Sequence, residues 1–372
     1  MDGDLIVIER PLVIGMSFQI FVPSSGRTMR QSRQDALLAL SHHLAQRMLE
    51  LGKTPPVWIS ANIKGGDEYN ANLWRAMGIL SVKKGTQMSV LEKFKLSGKV
   101  GIVTGAAGGL GGAFSEALAE AGADLLIVTD KQTEKLREVA EMISKSTGRK
   151  VVPFKMDVTS EEDVENAVKK ADEIFGRIDI LVNNAGIALA KPAVKLELEE
   201  WNKIINLNLT GVFLCAREVA RYMIEKGIKG SIINIASVYG ELADLVPNSP
   251  YYSSKAAVIN LTRGLAIEWG PFGIRVNSLC PGWFPTPGTK IFFESEEWVR
   301  HMNTKIPLRR LGKLDDLKPV IVFMASDASG YISGHTFEVL GGPLAVSATI
   351  GEGIKYLKDL LDEEYLKLFD LA

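Results

Sequence analysis

Val100-Gly101-Ile102-Val103-Thr104-Gly105-Ala106-Ala107-Gly108-Gly109-Leu110-Gly111 decides the fold. A short apolar run enters a glycine-rich turn, and a stretch with helical spacing follows. Glycines let the backbone turn tightly and let a pyrophosphate approach the main chain. The free N–H groups at the start of the following helix then face the anion. A glycine-rich turn alone is an unspecific signal. Its position after a strand and before a helix makes it a phosphate loop. The spacing is TGxxxGxG, carried by Thr104, Gly105, Gly109 and Gly111, with Leu110 between the last two.

Working outward, short apolar runs alternate with amphipathic stretches from residue 96 to 342. Val100–Val103, Leu125–Val128, Val151–Phe154, Ile180–Val182, Ile232–Ile235, Val276–Leu279 and Phe337–Leu340 read as strands. The first four are apolar throughout, as expected when both faces are buried, and the last three are apolar apart from Asn234, Asn277, Ser278 and Glu338. Helices are expected at about 110–121, 133–146, 161–175, 200–226, 251–269 and 315–326. Gly122, Gly148, Gly176 and Gly227 stand where helices should stop. Parallel strands joined by right-handed crossovers give an α/β fold, a Rossmann-type doubly wound sheet.

Such a sheet should carry an acidic residue about 20 residues beyond the loop to hold the adenosine ribose. Asp130 ends the run Ile127-Val128-Thr129-Asp130. Its carboxylate repels a 2′-phosphate and favours NAD over NADP. The neighbouring Lys131 could receive that phosphate, which leaves NADP open. The other reading of Asp130 is a cap for the next helix.

Tyr251-Tyr252-Ser253-Ser254-Lys255 opens a later helix. Residues four apart share a face, so Tyr251 and Lys255 point together. A phenol with a pKa near ~10 is a poor proton carrier at neutral pH, and a nearby ammonium should lower that value. Tyr252 competes for the role, but its partner four residues on is Ala256. Ser237 follows the strand Ile232–Ile235, and Asn183-Asn184-Ala185-Gly186 ends another, both at the edge where open sheets bind ligands. Asn208 lies in the long helix between them. Ser237 could hold a substrate oxygen, and Asn208 a water or backbone group for proton relay.

This set of residues resembles the short-chain dehydrogenase/reductase family over about two thirds of the chain. The resemblance rests on the TGxxxGxG loop, Asp157 after the third strand, the NNAG run, Asn208, Ser237, Tyr251, Lys255, and Pro281-Gly282 with Thr286 downstream. It implies an NAD(P) cofactor, a Ser–Tyr–Lys–Asn active site and a tetramer. It further implies that Asp157 and Val158 flank the adenine. Asn184, Ala185, Gly186, Pro281 and Gly282 would line the cofactor. Lys255 would also bind the nicotinamide ribose, and Thr286 the carboxamide or phosphates. The loop Pro281–Pro287 is similar to that of sugar-acid or polyol oxidoreductases of the gluconate 5-dehydrogenase kind; a 3-oxoacyl thioester reductase is the alternative. A non-catalytic NAD-binding scaffold is the alternative of another class, and it has no need of Ser237, Tyr251 and Lys255 together. One departure is Leu340 before Gly341-Gly342, where family members often carry Asp.

The flanks do not continue the pattern. Residues 1–87 read as an added α/β segment of unknown role, with short strands at Leu5–Ile8 and Val57–Ile59 and a helix at Asp35–Leu51. Met88 looks like a typical family start, so 88–342 is expected to be the NAD(P)-binding domain. Residues 343–372 place Ile354, Leu357, Leu361, Tyr365 and Leu368 at helical spacing, an amphipathic tail.

Composition excludes several classes. A net charge of −1 gives no electrostatic case for nucleic acid or an anionic membrane. No stretch approaches the ~20 apolar residues that span a bilayer. Two cysteines, Cys215 and Cys280, and four histidines make neither a disulfide framework nor a metal site, and fit a reducing cytoplasm. The expected partners are a small-molecule substrate and further copies of the chain. Helices 200–226 and 251–269 are expected at the subunit interface, through Val212, Phe213, Val219, Met223, Val258, Leu261 and Leu265.

Overall fold

The computed structural model describes residues 3–7, 19–23, 89–129, 133–243 and 246–342. The chain divides into two compact units, Met1–Gln87 and Met88–Ala372. In the first, β1 (Gly3–Val7) pairs antiparallel with β2 (Gln19–Pro23). The expected strand at Leu5–Ile8 therefore begins two residues earlier. The expected strand at Val57–Ile59, the helix at Asp35–Leu51 and the C-terminal helix lie outside the described residues.

The second unit holds seven parallel strands in the order β5-β4-β3-β6-β7-β8-β9. These are β3 (Val100–Thr104), β4 (Asp124–Thr129), β5 (Val151–Lys155), β6 (Ile180–Asn183), β7 (Ser231–Ile235), β8 (Arg275–Pro281) and β9 (Thr336–Val339). All seven fall on the apolar runs read from the sequence. The chain starts at β3, winds outward to β5, then returns to β6 on the other side of β3. That reversal opens a crevice beyond the strands' carboxyl ends.

Two apolar layers sandwich the sheet. On one side α1 (Gly109–Glu120), α2 (Thr133–Thr147) and α9 (Leu314–Ala325) bury Phe114, Leu118, Leu136, Ile143 and Ile321 against Val103, Leu125 and Ile127. On the other side α3 (Glu161–Phe175), α5 (Gly211–Lys226) and α6 (Ser249–Trp269) bury Val164, Val168, Val219, Met223 and Leu265 against Ile102, Leu126 and Ile232. Of the residues expected at a subunit interface, Val212, Val219, Met223, Val258 and Leu265 are instead core, and only Phe213 is exposed. The reason is that α5 and α6 each pack on more than one neighbour, so a wide apolar arc is consumed within the chain.

The long helix expected at 200–226 is interrupted. It runs as α4 (Leu198–Ile205), one π-helical turn (Asn206–Thr210) and α5. Such single wide turns cluster at functional sites, and this one carries Asn208. Two helices escaped the sequence reading, α7 (Lys290–Phe293) and α8 (Glu296–Lys305). The helix at Glu296 begins with the Ser295 hydroxyl accepting the Trp298 N–H at 3.2 Å.

A buried polar chain fixes the middle of the sheet. Asn183 Nδ2 donates to Asn234 Oδ1 at 2.9 Å and to the Val212 carbonyl at 3.2 Å. Asn234 Nδ2 donates to Thr262 Oγ1 at 2.9 Å, which donates to the Val258 carbonyl at 2.8 Å. These bonds join β6, β7, α5 and α6 beneath the crevice. At the far edge the Gly282 N–H donates to the Val339 carbonyl at 3.0 Å. The substitution of Leu340 for the usual acid thus leaves β9 docked on the loop after β8.

Candidate active site

The phosphate loop is shaped by contacts no side chain could share. Gly105 has φ +64, and a Cβ there would lie 2.9 Å from the Ala185 Cα. On Gly111, inside the first turn of α1, a Cβ would stand 2.4 Å from the Gly105 carbonyl oxygen. The helix therefore starts in contact with the strand it follows, and its free N–H groups face the crevice. Thr104 locks this arrangement. Its Oγ1 accepts the N–H groups of Asn184 at 2.9 Å and Ala185 at 3.0 Å. The Asn184 amide returns two bonds, to the carbonyls of Thr104 at 3.0 Å and Gly105 at 3.1 Å. A bare, rigid cradle of this kind fits a dinucleotide pyrophosphate.

Beside the cradle lies a cleft of about 520 Å³. Gly109, Leu110, Asn184, Gly186, Ser237, Tyr251, Lys255, Pro281, Gly282 and Thr286 line it, all of them residues expected from the sequence. Thr104, Gly105, Gly111 and Ala185 sit behind the lining as scaffold. Asp157 and Val158 are not among the lining residues. The Asp157 carboxylate accepts the Thr159 N–H at 2.8 Å and hydroxyl at 2.7 Å, and Val158 packs at Gly211. Asp130 and Lys131 lie outside the described residues.

Ser237, Tyr251 and Lys255 meet on one wall. Ser237 and Tyr251 both line the cleft, and the Ser237 hydroxyl acts on the phenol. The Lys255 ammonium lies 5.7 Å from the Tyr251 ring centroid and donates to the Ile235 carbonyl at 2.7 Å. A Cβ on Gly186 would come within 3.5 Å of that ammonium, so the missing side chain leaves an approach to it from the cofactor cradle. Burial pushes the Tyr251 phenol above its ordinary value, and the Ser237 hydrogen bond opposes that rise. The phenol is therefore raised, not lowered as the spacing with Lys255 led one to expect, and Lys255 is not among the causes of its shift. Burial brings Lys255 itself down to about 8.

Asn208 is fully buried behind the wall. Its side chain accepts the Ile187 N–H at 2.9 Å and donates to the Ile187 carbonyl at 2.9 Å and to Ser254 Oγ at 3.1 Å. It thereby ties the loop after β6 to the helix that carries Tyr251 and Lys255. Of the two uses expected for it, the structure displays the backbone one.

Sequence reasoning missed Ile187, Ala188, Phe284 and Thr289, which also line the cleft. Thr289 Oγ1 donates to the Phe284 carbonyl at 2.7 Å and accepts the Thr286 N–H at 2.9 Å, clasping the loop after β8. An aromatic run extends from the wall: Tyr251–Tyr252 centroids lie 6.4 Å apart, Tyr252–Tyr239 5.3 Å, Tyr239–Trp283 5.9 Å and Trp283–Trp298 4.7 Å. The density of Trp and Phe between 283 and 298 was the available signal. Among the described residues no group of His, Cys, Asp and Glu could hold a metal ion, and no helix is long and apolar enough to cross a membrane.

Comparison with known proteins adds four findings. A family model described as enoyl-(acyl carrier protein) reductase matches residues 105–343. The chain is 38% identical to the 2-dehydro-3-deoxy-D-gluconate 5-dehydrogenase of Dickeya dadantii, over 69% of this chain and 99% of that one. It is 37% identical to the 3-oxoacyl-(acyl-carrier-protein) reductase of Aquifex aeolicus, over 67% and 99%. Among solved structures, a gluconate 5-dehydrogenase from Burkholderia cenocepacia in complex with NADP and tartrate superposes with a TM-score of 0.65. It is 36% identical, covering 68% of this chain and 98% of that one.

Proposed function

The chain belongs to the short-chain dehydrogenase/reductase family of NAD(P)-dependent oxidoreductases, and we propose that it interconverts a secondary alcohol and a ketone on a sugar acid or polyol, with Tyr251 as general acid and base. One observation carries the assignment: Ser237 and the Tyr251 phenol stand on one cleft wall beside the buried Lys255 ammonium. A nicotinamide dinucleotide held by the Thr104–Gly111 cradle would supply or accept the hydride. In the reductive direction Ser237 and Tyr251 donate to the substrate oxygen, and the phenol proton passes to it. Negative charge then appears on Tyr251, and the Lys255 ammonium stabilises it in a site with little water. Asn208 positions this wall through Ile187 and Ser254. A scaffold without catalysis would leave that arrangement without a use.

The sugar-acid reading draws support from the names of the gluconate-type relatives. The thioester reductase reading draws support from a relative of nearly equal identity. Assay of sugar acids, polyols and 3-oxoacyl thioesters with both cofactors separates them. A sugar acid or polyol should exceed the thioesters at least tenfold in kcat/KM, about 1.4 kcal/mol in transition-state binding. The reverse order makes the chain a thioester reductase.

Lys255 sets a pH dependence. Ketone reduction needs the phenol protonated and the lysine charged, so the alkaline limit is the lower of their two values. With Lys255 down at about 8, kcat/KM for reduction should be level below that value. It should fall as pH rises through it. A profile still flat at pH ~10, near the ordinary lysine value, would exclude Lys255 as the charge that matters.

The same reading places the chemistry in residues 88–342, gives 1–87 and 343–372 accessory roles, and places the protein in the cytoplasm. It also makes the protein a homotetramer. Phe213, Ile224 and Ile267, which remain exposed on α5 and α6, support the association.

A further inference from the structure

We propose that the cleft selects an uncharged polyol, or the ketone it forms, over a sugar acid. This deepens the reading that the site interconverts a secondary alcohol and a ketone, and rests on it. Among the described residues that line the cleft, Lys255 is the single cation. It is 4% exposed and donates to the Ile235 carbonyl at 2.7 Å. The phenolate that forms on Tyr251 needs its charge, and a substrate carboxylate beside it would compete for that charge. The lining also includes Ile187, Ala188, Phe284, Thr286 and Thr289, all neutral. Burying a carboxylate among such groups without a cation is costly. A polyol hydroxyl carries no charge and can both donate and accept, so threonine hydroxyls and backbone groups suffice to hold it.

The loops around the cleft supply no replacement cation. The stretch from Val238 to Asn248, between Ser237 and α6, holds Glu241 and Asp244 and neither lysine nor arginine. An anion arriving there meets charge of its own sign. After β6, Lys191 is spent on Glu200 at 2.6 Å. Lys195 is exposed on the turn Ala193–Lys195, outside the lining. After β8, Lys290 faces Glu294 at 3.5 Å. Lys135 stands over Gly108 of the phosphate loop, 3.4 Å from where a Cβ would lie, and is also outside the lining. What extends from Tyr251 is aromatic instead, the rings of Tyr252, Tyr239 and Trp283. Such rings suit the C–H surface of an uncharged molecule.

The test compares two substrates of the full chain that differ in one group: a ketohexose, and the keto acid with a carboxylate in place of its terminal CH2OH. Reduction of the ketohexose should have the higher kcat/KM by at least about tenfold. The difference should lie mainly in KM, because the carboxylate is remote from the reacting carbon and is penalised in ground state and transition state alike. Ala188→Arg supplies the missing charge at an exposed position on the lining. It should shift the ratio at least about tenfold toward the keto acid and leave the melting temperature unchanged. A keto acid reduced as well as the ketohexose by the unaltered protein would overturn the proposal and leave Tyr251 as proton carrier. A ratio that Ala188→Arg does not move would overturn it too, since charge in the cleft would not be what discriminates. Turnover of 3-oxoacyl thioesters with neither sugar reduced would overturn the sugar-acid or polyol reading itself, and this proposal with it.

Discussion

Tyr251→Phe is expected to slow turnover about a thousandfold, within the range that a positioned proton carrier supplies, while cofactor affinity changes little. The substitution removes one oxygen from a ring whose packing beside Tyr252 is otherwise kept. The lost atom is the phenol oxygen on the cleft wall, so the substrate oxygen loses its proton source. The cradle made by Thr104, Asn184 and the glycines lies apart and is untouched. Tyr252→Phe is the matched control. The Tyr252 hydroxyl donates to the Val246 carbonyl at 2.6 Å, a bond that holds the loop before α6. Losing it should cost about 1 kcal/mol of stability and only a few-fold in rate. Steady-state rates and fluorescence titration of NAD(P)H on both variants decide the matter. If Tyr252→Phe is the inactive one, Tyr251 is not the proton carrier.

The parts legible in the sequence share a physical cause. The five central strands are buried on both faces, so burial wrote apolar runs that needed no partner to be read, and the partly buried edge strands β5 and β9 follow the same pattern more loosely. Tyr251 and Lys255 are four residues apart on one helix, so local geometry alone brings them together. Gly105 and Gly111 stand out because backbone contact forbids any other residue. What stayed hidden depends on contacts between distant segments. That Asn208 holds the Ile187 backbone could not be read from either residue alone, because a π-helical turn sets its direction. The chain Asn183–Asn234–Thr262 reads as three unrelated polar residues until the sheet forms. The apolar residues of α5 and α6 misled for the opposite reason. Their excess looked like a surface for another subunit, and the fold spends most of it on its own core. Helix α7, with four residues, is too short to show a period. For α8, the Ser295-Glu296-Glu297 start was present as a capping signal.

Gly111→Ala should weaken dinucleotide binding about a hundredfold or more, about 2.7 kcal/mol, and lower the melting temperature. The new methyl would stand 2.4 Å from the Gly105 carbonyl oxygen and 2.6 Å from Asn184 Nδ2. Neither neighbour can yield cheaply. The first is backbone of the phosphate loop, and the second is held by the carbonyls of Thr104 and Gly105. Relief requires α1 to move away from β3, which carries its first-turn N–H groups off the pyrophosphate seat. Overpacking of this sort costs about 1–3 kcal/mol in stability, and the binding loss comes on top of it. The next residue supplies the contrast. A Cβ on Gly112 meets nothing nearer than the Ala106 carbonyl oxygen at 3.8 Å, and Gly112 lies within the same helix. Gly112→Ala should therefore bind cofactor normally and gain up to about 1 kcal/mol in stability from helix propensity. Thermal melts and NAD(P)H titrations of the two variants test the pair together. Equal behaviour of Gly111→Ala and Gly112→Ala would mean that close contact between helix and loop is not what builds the cradle.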